Sequence, residues 1–236
     1  MNLITTADAL DFAHTAAQLV HERVARDPSL TLTLPTGSTP LGLYELLTHE
    51  HERGCFSLDE ATVFMLDEYV DLPSYPEGSF IEFLRETLGP LVFNARTVVK
   101  ALTPSSDRRC LESYDRALDE AGGLDLAIIG VGRNGHVGFN EPGADVAART
   151  NVVTLAEDTL AANFAGQPAT KRPTTAVTIG LADLRQARSV LMLVAGEGKS
   201  GIAATLRRGE RVDAMPATHL LDHEDLTIVM AGNLDR

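Results

Sequence analysis

The sequence is poor in cysteine and lacks long apolar runs. Cys55 and Cys110 are its only cysteines, which excludes a disulfide framework and a cysteine-rich zinc cluster and suits a reducing compartment. No apolar run approaches the roughly 20 residues that cross a membrane. The opening stretch, MNLITTADAL, lacks the charged start and apolar core of a signal peptide. We therefore expect a cytoplasmic protein that has no membrane partner.

Basic residues are also scarce relative to acidic ones. The chain has 33 Asp and Glu against 20 Lys and Arg, so its net charge is −13. Such a surface repels the phosphate backbone of nucleic acids, and we expect no nucleic-acid partner. A phosphorylated small molecule would have to be bound by local positive charge or by backbone amides.

Three motifs that indicate common chemistries are missing as well. No Gly-Lys-Ser/Thr follows the loop 35–40, so it is not a Walker A loop. No H-E-x-x-H motif is present to hold a metal, and no G-x-S-x-G motif presents a nucleophilic serine. We expect neither a metal nor a cofactor, which leaves acid–base chemistry by side chains.

Short β-branched stretches alternate along the whole chain with segments of helical periodicity. Ala7 to Arg26 reads as an amphipathic helix, and Leu30 to Leu34 as a short strand before a second helix, Leu41 to Arg53. There is no linker, repeat or low-complexity tract. The pattern predicts a single α/β domain over residues 1–236, with a doubly wound, mostly parallel sheet flanked by helices in a Rossmann-like arrangement.

The stretch Leu124–Pro142 carries the strongest functional signal. It begins as a buried strand, continues through Gly130, Gly132, Gly135 and Gly138, and carries four candidate functional residues in the glycine-rich loop. These are Asn134, His136, Asn140 and Glu141. Ligands bind at the carboxyl ends of strands in open α/β sheets, so we expect the active site here. His136 can exchange a proton near neutral pH, with Glu141 to orient it; the alternative is a structural histidine.

The same stretch also matches G-x-G-x-x-G, a pattern typical of dinucleotide binding. The context argues against that function. Pro142 and Gly143 interrupt the expected helix, and His136 and Glu141 occupy the place of the pyrophosphate. No suitably placed acidic residue follows to bind the ribose.

Three further loops contain candidate residues. Thr36, Gly37, Ser38 and Thr39 precede a helix and can hold an anion with hydroxyls and free N–H groups, although an ordinary helix cap explains them equally well. Asp67 and Glu68 follow a strand, where Asp67 is a candidate base or part of a solvated turn. Lys199 lies in a glycine-rich loop and is either an anion contact or a plain surface lysine.

Three segments together, LPTGSTPLGLYELL, MLDEYVDLP and IIGVGRNGHVGFNEPG, resemble the glucosamine-6-phosphate deaminase (isomerase) family. The wider group includes 6-phosphogluconolactonases. The resemblance covers about Leu30 to Met230. It implies an enzyme that isomerises and deaminates glucosamine 6-phosphate, a small-molecule sugar phosphate, to fructose 6-phosphate and ammonia, and it leaves a homo-oligomer open. A galactosamine-6-phosphate deaminase, a 6-phosphogluconolactonase and a non-catalytic sugar-phosphate-binding module remain alternatives.

The resemblance also implies a role for each candidate residue. His136 would assist opening of the sugar ring, with Asn134 and Glu141 holding it. Asp67 would move a proton between carbon 2 and carbon 1 of the open-chain sugar. The phosphate would be bound by the loop and the lysine named above, namely Thr36, Gly37, Ser38, Thr39 and Lys199.

One segment departs from the family pattern. The family usually carries two arginines in the helix after the central loop, one of which reaches the substrate phosphate from a lid. Leu160 and Ala165 stand at those positions here. Lys171 or Arg172 could replace the missing charge, which would otherwise weaken phosphate binding because a bidentate, charge-assisted contact is lost.

Overall fold

The computed structural model describes residues 1–72, 76–164, 168, 172–232 and 234. Its strands are β1 (Asn2–Thr6), β2 (Thr31–Leu34), β3 (Thr62–Met65), β4 (Asp67–Tyr69), β5 (Val98–Lys100), β6 (Leu126–Gly130), β7 (Asn151–Thr154), β8 (Thr175–Thr178), β9 (Ser189–Val194) and β10 (Leu226–Ala231). Its α-helices are α1 (Ala9–Arg26), α2 (Leu41–Glu52), α3 (Phe80–Leu88), α4 (Arg108–Glu120), α5 (Glu157–Asn163), α6 (Leu181–Gln186) and α7 (Ser200–Arg208).

Seven of these strands form a central parallel sheet in the order β1-β10-β9-β6-β2-β3-β5. The strands β2, β9 and β10 are buried along their whole length, as parallel strands covered by helices on both faces must be. The predicted mostly parallel α/β fold is confirmed.

A second, three-stranded sheet was not predicted as a separate unit. Its order is β4-β8-β7, and both pairings are antiparallel. The stretches Thr150 to Leu155 and Ala176 to Ile179 read as strands in the sequence and correspond to β7 and β8, but the sequence does not show which sheet they join. Strand β7 is only half-buried, and no helix connects it to β6, so it lacks the crossover that a parallel neighbour requires.

Two other elements were missed because their signals are weak. Strand β1 lies at the edge of the central sheet and pairs only with β10, so its sequence mixes polar and apolar residues. Helix α6 has six residues, too few to show a clear helical period. The helices that the sequence predicts over Ala7 to Arg26 and Ser105 to Ala121 begin two to three residues later in the structure. Asp8 caps α1 and Asp107 caps α4, each by accepting a hydrogen bond from a backbone N–H of the first turn.

The strand order places a topological switch point between β2 and β6. From β2 the chain moves outward to β3 and β5, then returns to β6 on the other side of β2 and continues toward β9 and β10. The crevice at the carboxyl ends of the two strands at such a point is where open α/β sheets bind ligands. Among the described residues, no helix is both long and apolar enough to cross a membrane.

Candidate active site

A cleft of about 770 Å³ opens at this switch point. Its walls come from the loops that follow β2, β3, β6 and β9, four strands that are neighbours in the sheet. Most of the predicted site residues line it directly: Thr36, Gly37, Ser38, Thr39, Asp67, His136 and Lys199. Residues far apart in sequence therefore meet at one edge of the sheet.

The loop 36–39 is not an ordinary helix cap. Pro40 occupies the N-cap position of α2, and no side chain caps the helix. Gly37 has φ +87°, a left-handed conformation that favours glycine and turns the loop toward the cleft. The N–H of Leu41 donates to the carbonyl oxygen of Ser38 at 3.5 Å, and the hydroxyl of Thr39 donates to that of Ala195 at 3.4 Å. The hydroxyls of Thr36 and Ser38 make no hydrogen bond among the described contacts, so they can face an anion together with the start of α2.

Lys199 completes this end of the cleft. Its ammonium group donates a hydrogen bond to Oγ1 of Thr39 at 3.0 Å and so joins the loop after β9 to the loop after β2. Burial and the neighbouring Arg133 lower the pKa of Lys199 to about 8. The lysine is therefore a largely desolvated cation in the cleft rather than a plain surface side chain.

Asp67 lies at the crossing from the central sheet to the second sheet. It begins β4, where it pairs with Thr178 of β8, and it is only 7 % exposed. Its Oδ2 faces Gly138, with 3.5 Å between that oxygen and the position a Cβ would take on the glycine. Burial, together with the charge of Glu68, raises the pKa of Asp67 well above its usual range. A carboxylate so placed is a stronger base than an exposed aspartate.

Glu68, the second member of the acidic pair, has a structural position. It is fully buried, and its carboxylate accepts hydrogen bonds from the backbone N–H groups of Tyr69, Phe80 and Ile81 at 2.9–3.0 Å. Two of these donors belong to the first turn of α3, so Glu68 fixes that helix to β4. Burial raises the pKa of Glu68, and the three N–H groups partly oppose this effect.

His136 and Glu141 lie together at the other side of the cleft. Nδ1 of His136 is 3.5 Å from Oε2 of Glu141, and their side chains are 23 % and 12 % exposed. The amide of Asn134 donates to the same Oε2 at 2.8 Å, and its carbonyl oxygen accepts from the backbone N–H of His136 at 3.1 Å. Partial burial works against ionisation of Glu141, but hydrogen bonds from His136, Thr159 and Asn134 outweigh it and lower the pKa.

Two glycine-loop residues support this arrangement. The ring of His136 lies directly on Gly132, where an added Cβ would fall within 2.2–2.5 Å of three ring atoms. Asn140, also predicted to be near the site, is buried, and its amide donates to the carbonyl oxygens of Val137 and Ile179. Asn140 therefore holds the loop rather than facing the cleft.

Sequence reasoning missed Thr159, Arg133 and an aromatic cluster. The hydroxyl of Thr159, from α5, donates to Oε1 of Glu141 at 2.5 Å. Arg133 lines the cleft beside Lys199 and stands within the motif that drew attention to His136. Tyr69, Phe80, Phe139 and Phe164 stack at ring-centroid distances of 4.7–5.6 Å and form an apolar wall. These rings are scattered in sequence, so no spacing pattern connects them.

The geometry agrees with the comparisons with known proteins. Residues 5–229 match the family model described as glucosamine-6-phosphate isomerases/6-phosphogluconolactonase. The chain belongs to this family. The family predicted from the three sequence segments is therefore confirmed.

Relatives within this family share most of their length with the chain. A glucosamine-6-phosphate deaminase of Shouchella clausii is 33% identical over 97% of this chain and 94% of its own. A Caenorhabditis elegans protein of the same name is 39% identical over 85% and 78%. A solved monomeric glucosamine-6-phosphate deaminase superposes with a TM-score of 0.90 at 29% identity, covering 98% and 97%.

The 6-phosphogluconolactonase branch of the family is more distant. The Trypanosoma brucei enzyme superposes with a TM-score of 0.76 at 21% identity, covering 98% of this chain and 95% of its own. That likeness shows a shared fold and does not extend to the substrate.

The positions of the family's lid arginines are only partly visible. Leu160 belongs to α5 and packs against the cluster that contains Tyr69 and Phe164. Ala165 and Lys171 lie outside the described residues. Arg172 is described but is not among the residues lining the cleft. Leu160 thus presents an apolar side chain at a position where the family pattern has an arginine.

Proposed function

We propose that this protein is a glucosamine-6-phosphate deaminase, which converts glucosamine 6-phosphate and water to fructose 6-phosphate and ammonia in the cytoplasm. The observation that carries the proposal is Asp67, a buried carboxylate between an anion-binding loop and a histidine–carboxylate pair. Isomerisation needs a base that takes a proton from carbon. Lactone hydrolysis would need only an activated water.

The phosphate end of the substrate is assigned to Thr36, Gly37, Ser38, Thr39 and Lys199. Free N–H groups and hydroxyls surround a phosphate from several directions, and the ammonium group adds charge. Anchoring the phosphate there would place the sugar along the cleft toward Asp67 and His136.

Ring opening is assigned to His136. The imidazole carries a proton between the ring oxygen and the hydroxyl at carbon 1, while Glu141 and Asn134 hold its orientation. The close packing of the ring on Gly132 supports this role, because it blocks movement of the imidazole away from the cleft on that side.

Proton transfer between carbons is assigned to Asp67. The carboxylate takes the proton from carbon 2 of the open-chain sugar while the aldehyde oxygen gains a proton from the substrate's ammonium group, which gives an enolamine with a hydroxyl at carbon 1. Asp67 then returns its proton to carbon 1, which leaves an iminium at carbon 2. Water adds to the iminium carbon, ammonia leaves, and the ketone remains. The raised pKa of Asp67 suits both steps, because the residue must accept a proton and then release it.

The test is ammonia release from glucosamine 6-phosphate, with fructose 6-phosphate measured in a coupled assay. Release of both products at a one-to-one ratio, abolished in Asp67→Asn, is the expected result. Folded protein that releases neither would reject the proposal. Galactosamine 6-phosphate and 6-phosphogluconolactone would then be the substrates to try, and binding unchanged by Asp67→Asn without any turnover would indicate a binding module.

A further inference from the structure

We propose that Arg133, an exposed residue of the loop after β6 that lines the cleft, provides the guanidinium contact to the substrate phosphate. This inference rests on the proposed function and adds a residue to its phosphate site. The arginine that binds the phosphate would thus lie in the loop after β6 rather than in α5.

The side chain of Arg133 is directed across the glycine loop that carries Lys199. Gly198 has φ +76°, and an added Cβ there would lie 3.1 Å from both Cδ and Nε of the arginine. The guanidinium therefore reaches the loop after β9, and both loops line the same end of the cleft. Lys199 in turn touches Thr39 of the anion-binding loop.

Two cations thus converge without a neutralising partner. Arg133 forms no hydrogen bond or ion pair with any residue that the structure describes, whereas Arg149 and Arg188 each pair with aspartates at 2.9 Å or less. Lys199 is paired only with a hydroxyl. Glu197 lines this end of the cleft, yet among the described contacts it makes no ion pair with either cation.

An anionic ligand would neutralise this pair of like charges, exposed Arg133 and half-buried Lys199, in a protein whose net charge is −13. Burial and the charge of Arg133 both lower the pKa of Lys199, so the charged form of the lysine is disfavoured there, and a bound dianion would favour it again. A guanidinium also offers the two parallel N–H groups that match a phosphate.

The experiment compares inorganic phosphate binding by calorimetry in the wild type, Arg133→Gln, Arg133→Lys and the control Arg108→Gln. Arg108 is an exposed arginine on α4 that pairs with Glu112. We expect Arg133→Gln to weaken binding about tenfold or more, since a charge-assisted contact is lost. Arg133→Lys should recover part of it, and Arg108→Gln should match the wild type. Thermal unfolding verifies that each variant is folded.

Kinetics separate binding of the phosphate from a general effect on the loop. With glucosamine 6-phosphate, Arg133→Gln should raise KM about tenfold or more with kcat within a few-fold, because uniform binding is lost. With unphosphorylated glucosamine, kcat/KM should be unchanged by the substitution.

Wild-type affinity for phosphate in Arg133→Gln, or an equal loss with both sugars, would overturn the assignment. Phosphate binding needs no turnover, so it also separates the two proposals. If the wild type releases no ammonia while phosphate binding still depends on Arg133, the proposed function fails and this inference stands.

Discussion

Nδ1 of His136 lies 3.5 Å from Oε2 of Glu141, while the amide of Asn134 donates to that same oxygen at 2.8 Å. The carboxylate of Glu141 therefore positions both the imidazole of His136 and the amide of Asn134. We predict that Glu141→Gln lowers kcat about a hundredfold or more, the range in which a correctly placed acid–base group contributes. An amide cannot accept from both neighbours with the strength of a carboxylate.

Thr159→Val is the matched control for that substitution. It removes a single hydrogen bond to Oε1 of Glu141 and leaves the partners of Oε2 in place. A loss of less than about tenfold is expected, in line with one hydrogen bond. Steady-state rates on glucosamine 6-phosphate measure both variants, and a Glu141→Gln enzyme with wild-type kcat would contradict the assigned role.

Gly132 should be required for activity because of its contact with the histidine. In Gly132→Ala the new methyl group would lie 2.2–2.5 Å from ring atoms of His136, so the imidazole must move. We expect kcat to fall about a hundredfold with little change in fold, because the ring can move into the cleft. Rates and thermal unfolding, measured together, test both parts.

The control is Gly201→Ala, which adds the same methyl group to an exposed position of α7 with nothing within 4 Å. It should keep wild-type rates and slightly stabilise the helix, since alanine is the better helix former. Equal losses of activity in the two variants would show that the contact with His136 is not the cause.

The fold was largely predictable because its strands are buried in a regular way. Continuous apolar stretches such as Leu126 to Ile129 identify central strands, and the glycine loops after them identify the ligand edge. Which strands pair is a long-range property, so the second sheet was not foreseen. Its strand β4 begins immediately after β3, and local sequence gives no sign that the chain changes sheets at Asp67.

The site residues could be predicted where several of them lie in one segment of the sequence. They could not be predicted where a distant segment contributes a single residue. Asn134, His136 and Glu141 stand within eight residues of one another and do meet in the structure. Thr159 joins them from a helix 18 residues further on. A threonine in a helix has no feature that sets it apart in sequence, because its importance comes only from the carboxylate it reaches.

Asp67 should lower the free energy of unfolding at neutral pH. Its pKa is raised in the folded protein by burial and by Glu68, so ionising it opposes folding. The penalty is absent below the usual aspartate pKa of about 3.9 and grows as the pH rises through the folded-state pKa. We therefore predict that Asp67→Asn melts at a higher temperature than the wild type at pH 7 while losing turnover.

Unfolding curves from pH 4 to pH 8 measure this difference. Each kcal/mol gained should raise Tm by about 2–4 °C in a chain of this length. The advantage of Asp67→Asn should shrink toward pH 4, where both side chains are neutral. A difference that stays constant over the whole range would mean that packing, rather than charge, accounts for it. Asp59→Asn, at a surface ion pair with Arg96, serves as the control and should show no such gain.

The lowered pKa of Lys199 predicts that the enzyme captures its substrate less efficiently at basic pH. Its pKa in the free protein is about 8, because burial and Arg133 disfavour the charged form. Below that pH the ammonium group attracts the dianionic phosphate, and above it the attraction is lost. We predict that kcat/KM for glucosamine 6-phosphate falls as the pH rises through about 8, whereas kcat/KM for unphosphorylated glucosamine does not share this fall.

Lys199→Arg discriminates between this lysine and any other titrating group, because an arginine stays charged throughout the range. The variant should retain kcat/KM to higher pH, even if its rate is lower, since a guanidinium cannot reproduce the contact with Thr39 atom for atom. A basic limb unchanged in Lys199→Arg would assign the titration to a different residue and remove Lys199 from the phosphate site.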